Sequence, residues 1–318
     1  MGELDEAKSL FEQVLEIRET AYGTNHILVA SSLGNVGAVV KDSGDYQAAL
    51  PLYERSLAIK EKMLGPDHPS VARTVANLGA LLRTMGESER AKPVLERSVA
   101  VYRTALGPDH PDIAEPLTTL AIMHATTGQP DAARSLFEEA LAIREKALGP
   151  DHSDVATSLN NLGVFHRSTG DSQAARTYYE RAMQANEMSL GPGHPQVAMA
   201  MTNLANLVTD LGDYEEARAL YERALVIREE ALGPDHPDVG FTVIGLGSLY
   251  DTMGDLERAL PYVARTVEIW GKAFGPEHPQ VVAVLEDYAD LLRRLGDEEE
   301  AQKVDARIAA IQTKTGPE

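Results

Sequence analysis

Nine histidines are the side chains in this sequence best suited to hold a metal or move a proton, and with no cysteine present they have no thiolate partners. Seven of them, His26, His68, His110, His152, His194, His236 and His278, recur every 42 residues. The ligands of one zinc all lie about 2 Å from it, whereas side chains one repeat apart are separated by the packing distance of adjacent helices, roughly 10 Å. These seven cannot share an ion, and they read as linker residues. The other two, His124 and His166, stand one repeat apart at a position that reads as aromatic, so both are expected as buried, hydrogen-bonded rings. Together with Glu115 they are the one set from which an enzyme could be assembled, and that reading ranks last. No P-loop, dinucleotide glycine motif, Gly-x-Ser-x-Gly elbow or His-Glu-x-x-His occurs. The expectation is a non-enzymatic chain with no cofactor and no metal.

The elements that carry these residues are announced by their punctuation. Gly-Pro-Asp-His-Pro or a near copy begins at Gly65, Gly107, Gly149, Gly191, Gly233 and Gly275, with a degraded copy at Gly23. A second glycine series, Gly2, Gly44, Gly86, Gly128, Gly170, Gly212, Gly254 and Gly296, has the same spacing. A period of this length means a stacked solenoid, each unit a helix hairpin with one glycine closing each helix. In the pentapeptide, Gly65 is expected as a left-handed residue, Pro66 stops the helix, His68 lies near the N-cap and Pro69 takes the first helical position. The second helix carries an alanine in all eight copies, from Ala7 and Ala49 to Ala301. The first carries a small residue, Gly37, Gly79, Ala121, Gly163, Ala205, Gly247 and Ala289, which lets the helices approach closely. The predicted organisation is one domain over 1–318: a lone second helix over 1–22, then repeats at about 23–64, 65–106, 107–148, 149–190, 191–232, 233–274 and 275–316.

Composition bounds the partners. There are 49 acidic and 29 basic residues, a formal charge of −20, with the acids spread through every repeat. Nucleic acid is not expected, because phosphate neutralisation needs clustered Lys and Arg. The absence of Cys fits a reducing, cytoplasmic setting. The acidic first residues lack the apolar core of a signal peptide, and no apolar run approaches the roughly 20 residues that span a bilayer. No membrane partner is expected.

Leu159-x2-Leu162-Gly163-x2-His166 followed by Ala175-x3-Tyr179-x2-Ala182 matches the tetratricopeptide pattern. The 42-residue unit, with segments such as Leu159-Asn160-Asn161-Leu162-Gly163 and Tyr221-Glu222-Arg223-Ala224-Leu225, resembles the repeat domain of kinesin light chains and their microbial relatives. That resemblance implies an all-α, right-handed superhelical solenoid of tetratricopeptide hairpins whose first helices line a concave groove. Asn35, Asn77, Asn161 and Asn203 occupy one position of that lining, with Asn160 and Asn206 nearby; Thr119, Gly245 and Asp287 interrupt the series. The resemblance implies that such asparagines contact the main chain of a bound peptide, as their paired donor and acceptor groups allow. The alternative is that they bond only to the neighbouring helix.

Around this ladder the stripe changes character. Lys41, Arg73 and Arg83 make one end mildly basic, Glu115 follows, then Met199, Phe241 and Ile244 are apolar, and Glu286, Asp287 and Asp290 are acidic. A peptide with a hydrophobic anchor and basic residues near one end suits it. A clamp for C-terminal carboxylates needs several Lys, Asn and Arg on the stripe, and only Arg73 and the asparagines are in place. Trp270 occupies a position held elsewhere by Arg18, Lys60, Tyr102, Arg144, Asn186 and Arg228, a mostly polar series that reads as exposed. It is either an exposed contact residue or a lid over the last repeat.

The expected function is a peptide- or protein-binding scaffold. The alternative is a ligand-sensing regulatory arm of a larger signalling chain with a nucleotide-binding switch. Residues 3–22 form a second helix without its first, with Phe11, Val14, Leu15 and Ile17 shaped for a partner. Gly316-Pro317-Glu318 resembles the start of a further linker. The expectation is a longer array, or self-association through the uncapped N-terminal helix.

Overall fold

The computed structural model describes residues 2–315, and every regular element among them is helical. Gly316-Pro317-Glu318, read above as a linker start, lie outside the described residues. The chain divides into two compact units, Met1–Pro150 and Asp151–Glu318. The first contains α1 (Gly2–Tyr22), α2 (Ile27–Asp42), α3 (Tyr46–Leu64), α4 (Pro69–Thr84), α5 (Ser88–Leu106), α6 (Ala114–Thr126, entered through a 3₁₀ turn at Pro111–Ile113) and α7 (Pro130–Leu148). The second contains α8 (Ser153–Ser168), α9 (Ser172–Leu190), α10 (Pro195–Asp210), α11 (Tyr214–Leu232), α12 (Pro237–Thr252), α13 (Leu256–Phe274), α14 (Pro279–Arg294) and α15 (Glu298–Thr315). From α2 onward, even-numbered and odd-numbered helices pair as the first and second arms of successive hairpins.

Both kinds of turn are built by the residues that recur. At the end of α2 the N–H of Gly44 bonds to the carbonyl of Lys41 at 2.9 Å and that of Asp45 to Val40 at 3.1 Å. This is a Schellman closure, and Gly212 and Asp213 repeat it on Thr209 and Val208. The linker glycine behaves differently from expectation. Gly65 has φ 86° and ψ 157°, a region open essentially to glycine alone, and is not left-handed helical. The extended ψ turns the chain outward at once, so Pro66 and Asp67 can cross to the next hairpin. There His68 caps α4: its Nδ1 accepts the Ser70 N–H at 3.0 Å. All seven linker histidines do the same, at 3.0–3.3 Å. Their recurrence is therefore explained by capping of orphan helix N–H groups.

Within a hairpin the small residue of the first arm receives a large side chain from the second. A Cβ placed on Gly163 would lie 2.4 Å from the Tyr179 ring, and one on Gly79 would lie 2.6 Å from Leu95. Tyr53, Tyr179 and Tyr221 are fully buried there. In α1 the expected partner-seeking residues divide. Phe11 and Leu15 pack into the core of the first unit, whereas Val14 and Ile17 face outward, joined by Leu10, which was not expected. The second arms are laced by ion pairs 36 residues apart: Arg55 with Glu19 and Arg97 with Glu61 in the first unit, Arg223 with Glu187 and Arg265 with Glu229 in the second. Between α5 and α7 the polarity reverses, with Arg103 on the earlier helix and Glu139 on the later one.

Candidate functional site

The first arms of the second unit carry a groove of about 540 Å³ between α10 and α12. Helical periodicity puts Met199, Thr202, Asn203 and Asn206 of α10 on its one wall, and Phe241, Ile244, Gly245 and Ser248 of α12 on the other. Met199, Asn203, Asn206 and Phe241, all expected from sequence, are thus brought together. Asn160 and Asn161 are not among its lining residues. Phe241 is 42 % exposed, unusual for a residue of that size, and it forms the outer edge of an apolar shelf with Met199 and Ile244.

The asparagines do not all stand ready for a ligand. Asn203 donates its Nδ2 to Asn160 Oδ1 at 2.7 Å, joining α10 to α8, and Asn206 Oδ1 accepts the Tyr221 hydroxyl at 2.6 Å. Each still has a free half of its amide, because an Asn side chain offers two donors and one acceptor oxygen with two lone pairs. Among the described residues, Asn35, Asn77 and Asn161 have no side-chain partner. The interruption at Gly245 has a steric cause: a Cβ there would lie 2.4 Å from the Tyr221 ring, so no Asn fits. Thr119 turns onto its own helix and bonds the Glu115 carbonyl at 3.1 Å.

Beyond Ser248 the groove becomes acidic. Asp251, Asp287 and Asp290 line an adjoining hollow that shares Ile244 and Ser248 with the first. Burial, then the neighbouring Glu286, Asp251 and Asp290, raise the Asp287 pKa. Arg294 offsets part of this charge by pairing with Asp251 at 2.6 Å and Asp290 at 3.3 Å. In the first unit, Arg73 and Asn35 are exposed and Asn77 is half-buried. Lys41 pairs with Asp42 at 3.2 Å, which weakens its share of the basic end. Near Arg73, Lys60 is buried with its Nζ on Thr74 Oγ1 at 2.6 Å. Burial first, and Arg73 second, bring its pKa down to about 8.

Lys60 belongs to the series that read as exposed, and the structure corrects that reading. Lys60, Tyr102, Asn186, Arg228 and Trp270 are all buried. The polar members reach from a second arm into the first arm that follows. Arg18 bonds Leu28 O and Ser32 Oγ at 3.1 and 2.9 Å, Asn186 bonds Gln196 O at 3.2 Å, and Arg228 bonds Asp238 O and Thr242 Oγ1 at 2.9 and 2.6 Å. The available signal was the hydroxyl fourteen residues later, at Ser32, Thr74 and Thr242. For Trp270 that position is Val284, which offers no acceptor. Trp270 turns back on its own hairpin, donating Nε1 to Pro237 O at 3.0 Å. It fills the space above Gly240 and meets Phe241 edge-on at 5.1 Å. It is neither an exposed contact residue nor a lid on the last repeat, but the buried support of the groove's aromatic shelf.

The two remaining histidines differ from each other. His124 Nδ1 lies 2.8 Å from Gln129 Oε1. His166 is buried and, against expectation, neither ring nitrogen has a hydrogen bond. It stacks on Tyr178 at 5.3 Å with Phe165 edge-on, and its Nδ1 lies 3.4 Å from Asp171 Oδ2. Among the described residues no three His, Asp or Glu side chains form a metal-ligand set, and no helix is long and apolar enough to cross a membrane.

Comparison with known proteins bears on the whole chain. No curated protein sequence matches it. Among solved structures, the kinesin light chain TPR-like repeats of Podosopora anserina share 27% identity over 65% of this chain and 97% of theirs, with a TM-score of 0.55. The apo quorum sensor NprR of B. thuringiensis matches 97% of this chain and 83% of its own at 14% identity and a TM-score of 0.73. A Rap protein solved with Competence and Sporulation Factor matches 98% and 86% at 15% identity and 0.62. The last two likenesses establish fold alone. The tetratricopeptide repeat model matches residues 1–62, 44–104, 70–146, 112–188, 154–221, 196–270 and 252–314. With its 42-residue period, its glycine-closed hairpins and this match along its length, the chain belongs to the tetratricopeptide repeat family.

Proposed function

We propose that the protein is a binding scaffold for an extended peptide segment, received in the groove between α10 and α12. The observation that carries this reading is one exposed aromatic shelf, Phe241 on buried Trp270 with Ile244 beside it and Met199 opposite, bordered by the part-free amides of Asn203 and Asn206. A hydrophobic anchor residue fits the shelf, its backbone meets the amides, and basic residues beyond it meet Asp251, Asp287 and Asp290. Such a role asks for position and charge and for no reacting group.

Selection of a random peptide library on the purified chain tests this. Recovered peptides are expected to share an apolar anchor followed by a basic residue, to compete with one another, and to shift the emission of Trp270, the protein's single tryptophan. Enrichment equal on the chain and on its Phe241→Ser variant would overturn the assignment of the groove.

A further inference from the structure

The floor of the same groove holds a charge that the fold does not pair. Arg228 projects from α11 between α10 and α12 and is only 6 % exposed, yet it lines the pocket. Both of its hydrogen bonds leave from Nη1 and end on neutral oxygens, Asp238 O and Thr242 Oγ1. Its Nε is buried with no acceptor, and Nη2 has none among the described residues. Asp238 lines the same pocket and its charge acts on Arg228 through space, but it forms no ion pair with it among the described residues. A guanidinium is a planar fork of five donors suited to a carboxylate. Buried without one, it carries an uncompensated desolvation cost that a ligand anion would relieve.

The structural link alone does not require arginine. Asn186, at the same position one repeat earlier, reaches the equivalent backbone carbonyl with an amide, and Lys60 reaches the equivalent hydroxyl with an ammonium. What Arg228 adds is charge that Asn186 lacks and a planar fork of spare donors that Lys60 lacks, beside the apolar Met199, Phe241 and Ile244 of the cavity. The lining also argues for a side chain in passing over a chain end. The pocket continues past Ile244 and Ser248 into the acidic hollow of Asp251, Asp287 and Asp290, where a peptide must run on with residues other than acids.

We infer that the pocket reads an Asp or Glu adjacent to the apolar anchor, with Arg228 as the partner of that side-chain carboxylate. The inference rests on the peptide-scaffold reading and narrows it to an apolar–acidic pair followed by basic residues. The Lys or Arg that the first-arm lining of this groove lacks is thus supplied from the second arm.

The test uses peptides recovered by selection on the full chain, with amidated C-termini. Exchanging the recovered acidic residue for its amide, Glu for Gln, should weaken binding to the native chain by about tenfold or more. It should change binding to Arg228→Asn, a substitution patterned on Asn186, by no more than about twofold. Melting of the variant by circular dichroism establishes that it is folded. Should it not fold, the Glu-to-Gln difference on the native chain still decides, since a guanidinium–carboxylate contact also makes that difference shrink with added salt. Recovered peptides without an acidic residue, or an equal Glu-to-Gln loss on both proteins, overturn this inference and leave the scaffold reading standing. A requirement for a free C-terminal carboxylate overturns its side-chain form. Failure to enrich any peptide overturns both readings.

Discussion

Gly240→Ala is expected to break the support of the groove without touching a residue that a ligand would contact. A Cβ at this position lies 2.2 Å from Trp270 Nε1 and 2.8 Å from two further indole atoms, all parts of a rigid ring, so the indole must move. Overpacking of a filled interior costs about 1–3 kcal/mol. Loss of the Nε1 bond to Pro237 O costs roughly 0.5–1.5 kcal/mol more. Alanine in place of glycine returns about 1 kcal/mol of helix propensity. The net expectation is a destabilisation of about 0.5–3.5 kcal/mol. The assay is direct because Trp270 is the only tryptophan: its emission should move to the red and its quenching by iodide should rise, while far-ultraviolet ellipticity changes little. In a Trp270→Leu background the same glycine substitution should cost nothing or stabilise, giving a coupling energy in a double-mutant cycle. An unchanged emission maximum together with an unchanged melting curve would refute the packing argument.

Four further outcomes follow from the same structure. Gly37→Ala and Gly163→Ala occupy the same repeat position, but a Cβ meets Tyr53 at 3.4 Å in the first and Tyr179 at 2.4 Å in the second; denaturation should show the first neutral to stabilising by up to about 1 kcal/mol and the second less stable than it. Lys60 has a folded pKa of about 8 against an ordinary 10.5, so the unfolded chain holds more protons between those values and stability should rise with pH across that window. Lys60→Met, which leaves Thr74 bonded to Ser70 O, should raise stability at pH 7 by about 1–3 kcal/mol and erase that rise, as urea titrations at pH 7 and 10 would reveal. Nitrogen-15 spectra at neutral pH should give the linker histidines one shared tautomer, hydrogen on Nε2, because each Nδ1 accepts a backbone N–H; mixed tautomers would contradict the capping role. Replacing Asn77, Asn161 and Asn203 together by alanine should weaken binding of a selected peptide by roughly 0.5–1.5 kcal/mol for each asparagine that contacts it, with unchanged helicity, measured by calorimetry.

The fold could be read because the residues that shape it act locally. A glycine with positive φ, a proline after it and a histidine two residues before a free N–H carry their structural meaning within a few positions, and the 42-residue period repeats it along the chain. The groove was legible where helical periodicity alone decides exposure, as at Met199, Asn203 and Phe241. It was not legible at Arg228 and Trp270. Their burial depends on what the neighbouring arm offers: a hydroxyl at Thr242 for one, a missing Cβ at Gly240 for the other. Polar character suggests exposure, but here it marks side chains that tie one hairpin to the next. The asparagine ladder divided for a similar reason, since Tyr221 reaches across a turn to occupy Asn206 and to exclude a side chain from Gly245.

The reversed pair of Arg103 and Glu139 has a consequence for how such a gene can change length. Unequal crossing-over between repeats of matched length removes whole units. Loss of the unit carrying Arg223 and Glu229 would set Glu187 against Arg265, a pairing as good as the ones lost. Loss of the unit carrying Arg97 and Arg103 would instead confront Glu61 with Glu139, and loss of the next would confront Arg103 with Arg181, like charges in both cases. Each mismatch at the protein surface is worth at most about 1 kcal/mol, so it biases rather than forbids. Recombinants that shorten the array near its middle therefore start with a handicap that those shortened elsewhere do not have, and the third and fourth copies are the least interchangeable of a series that otherwise looks modular.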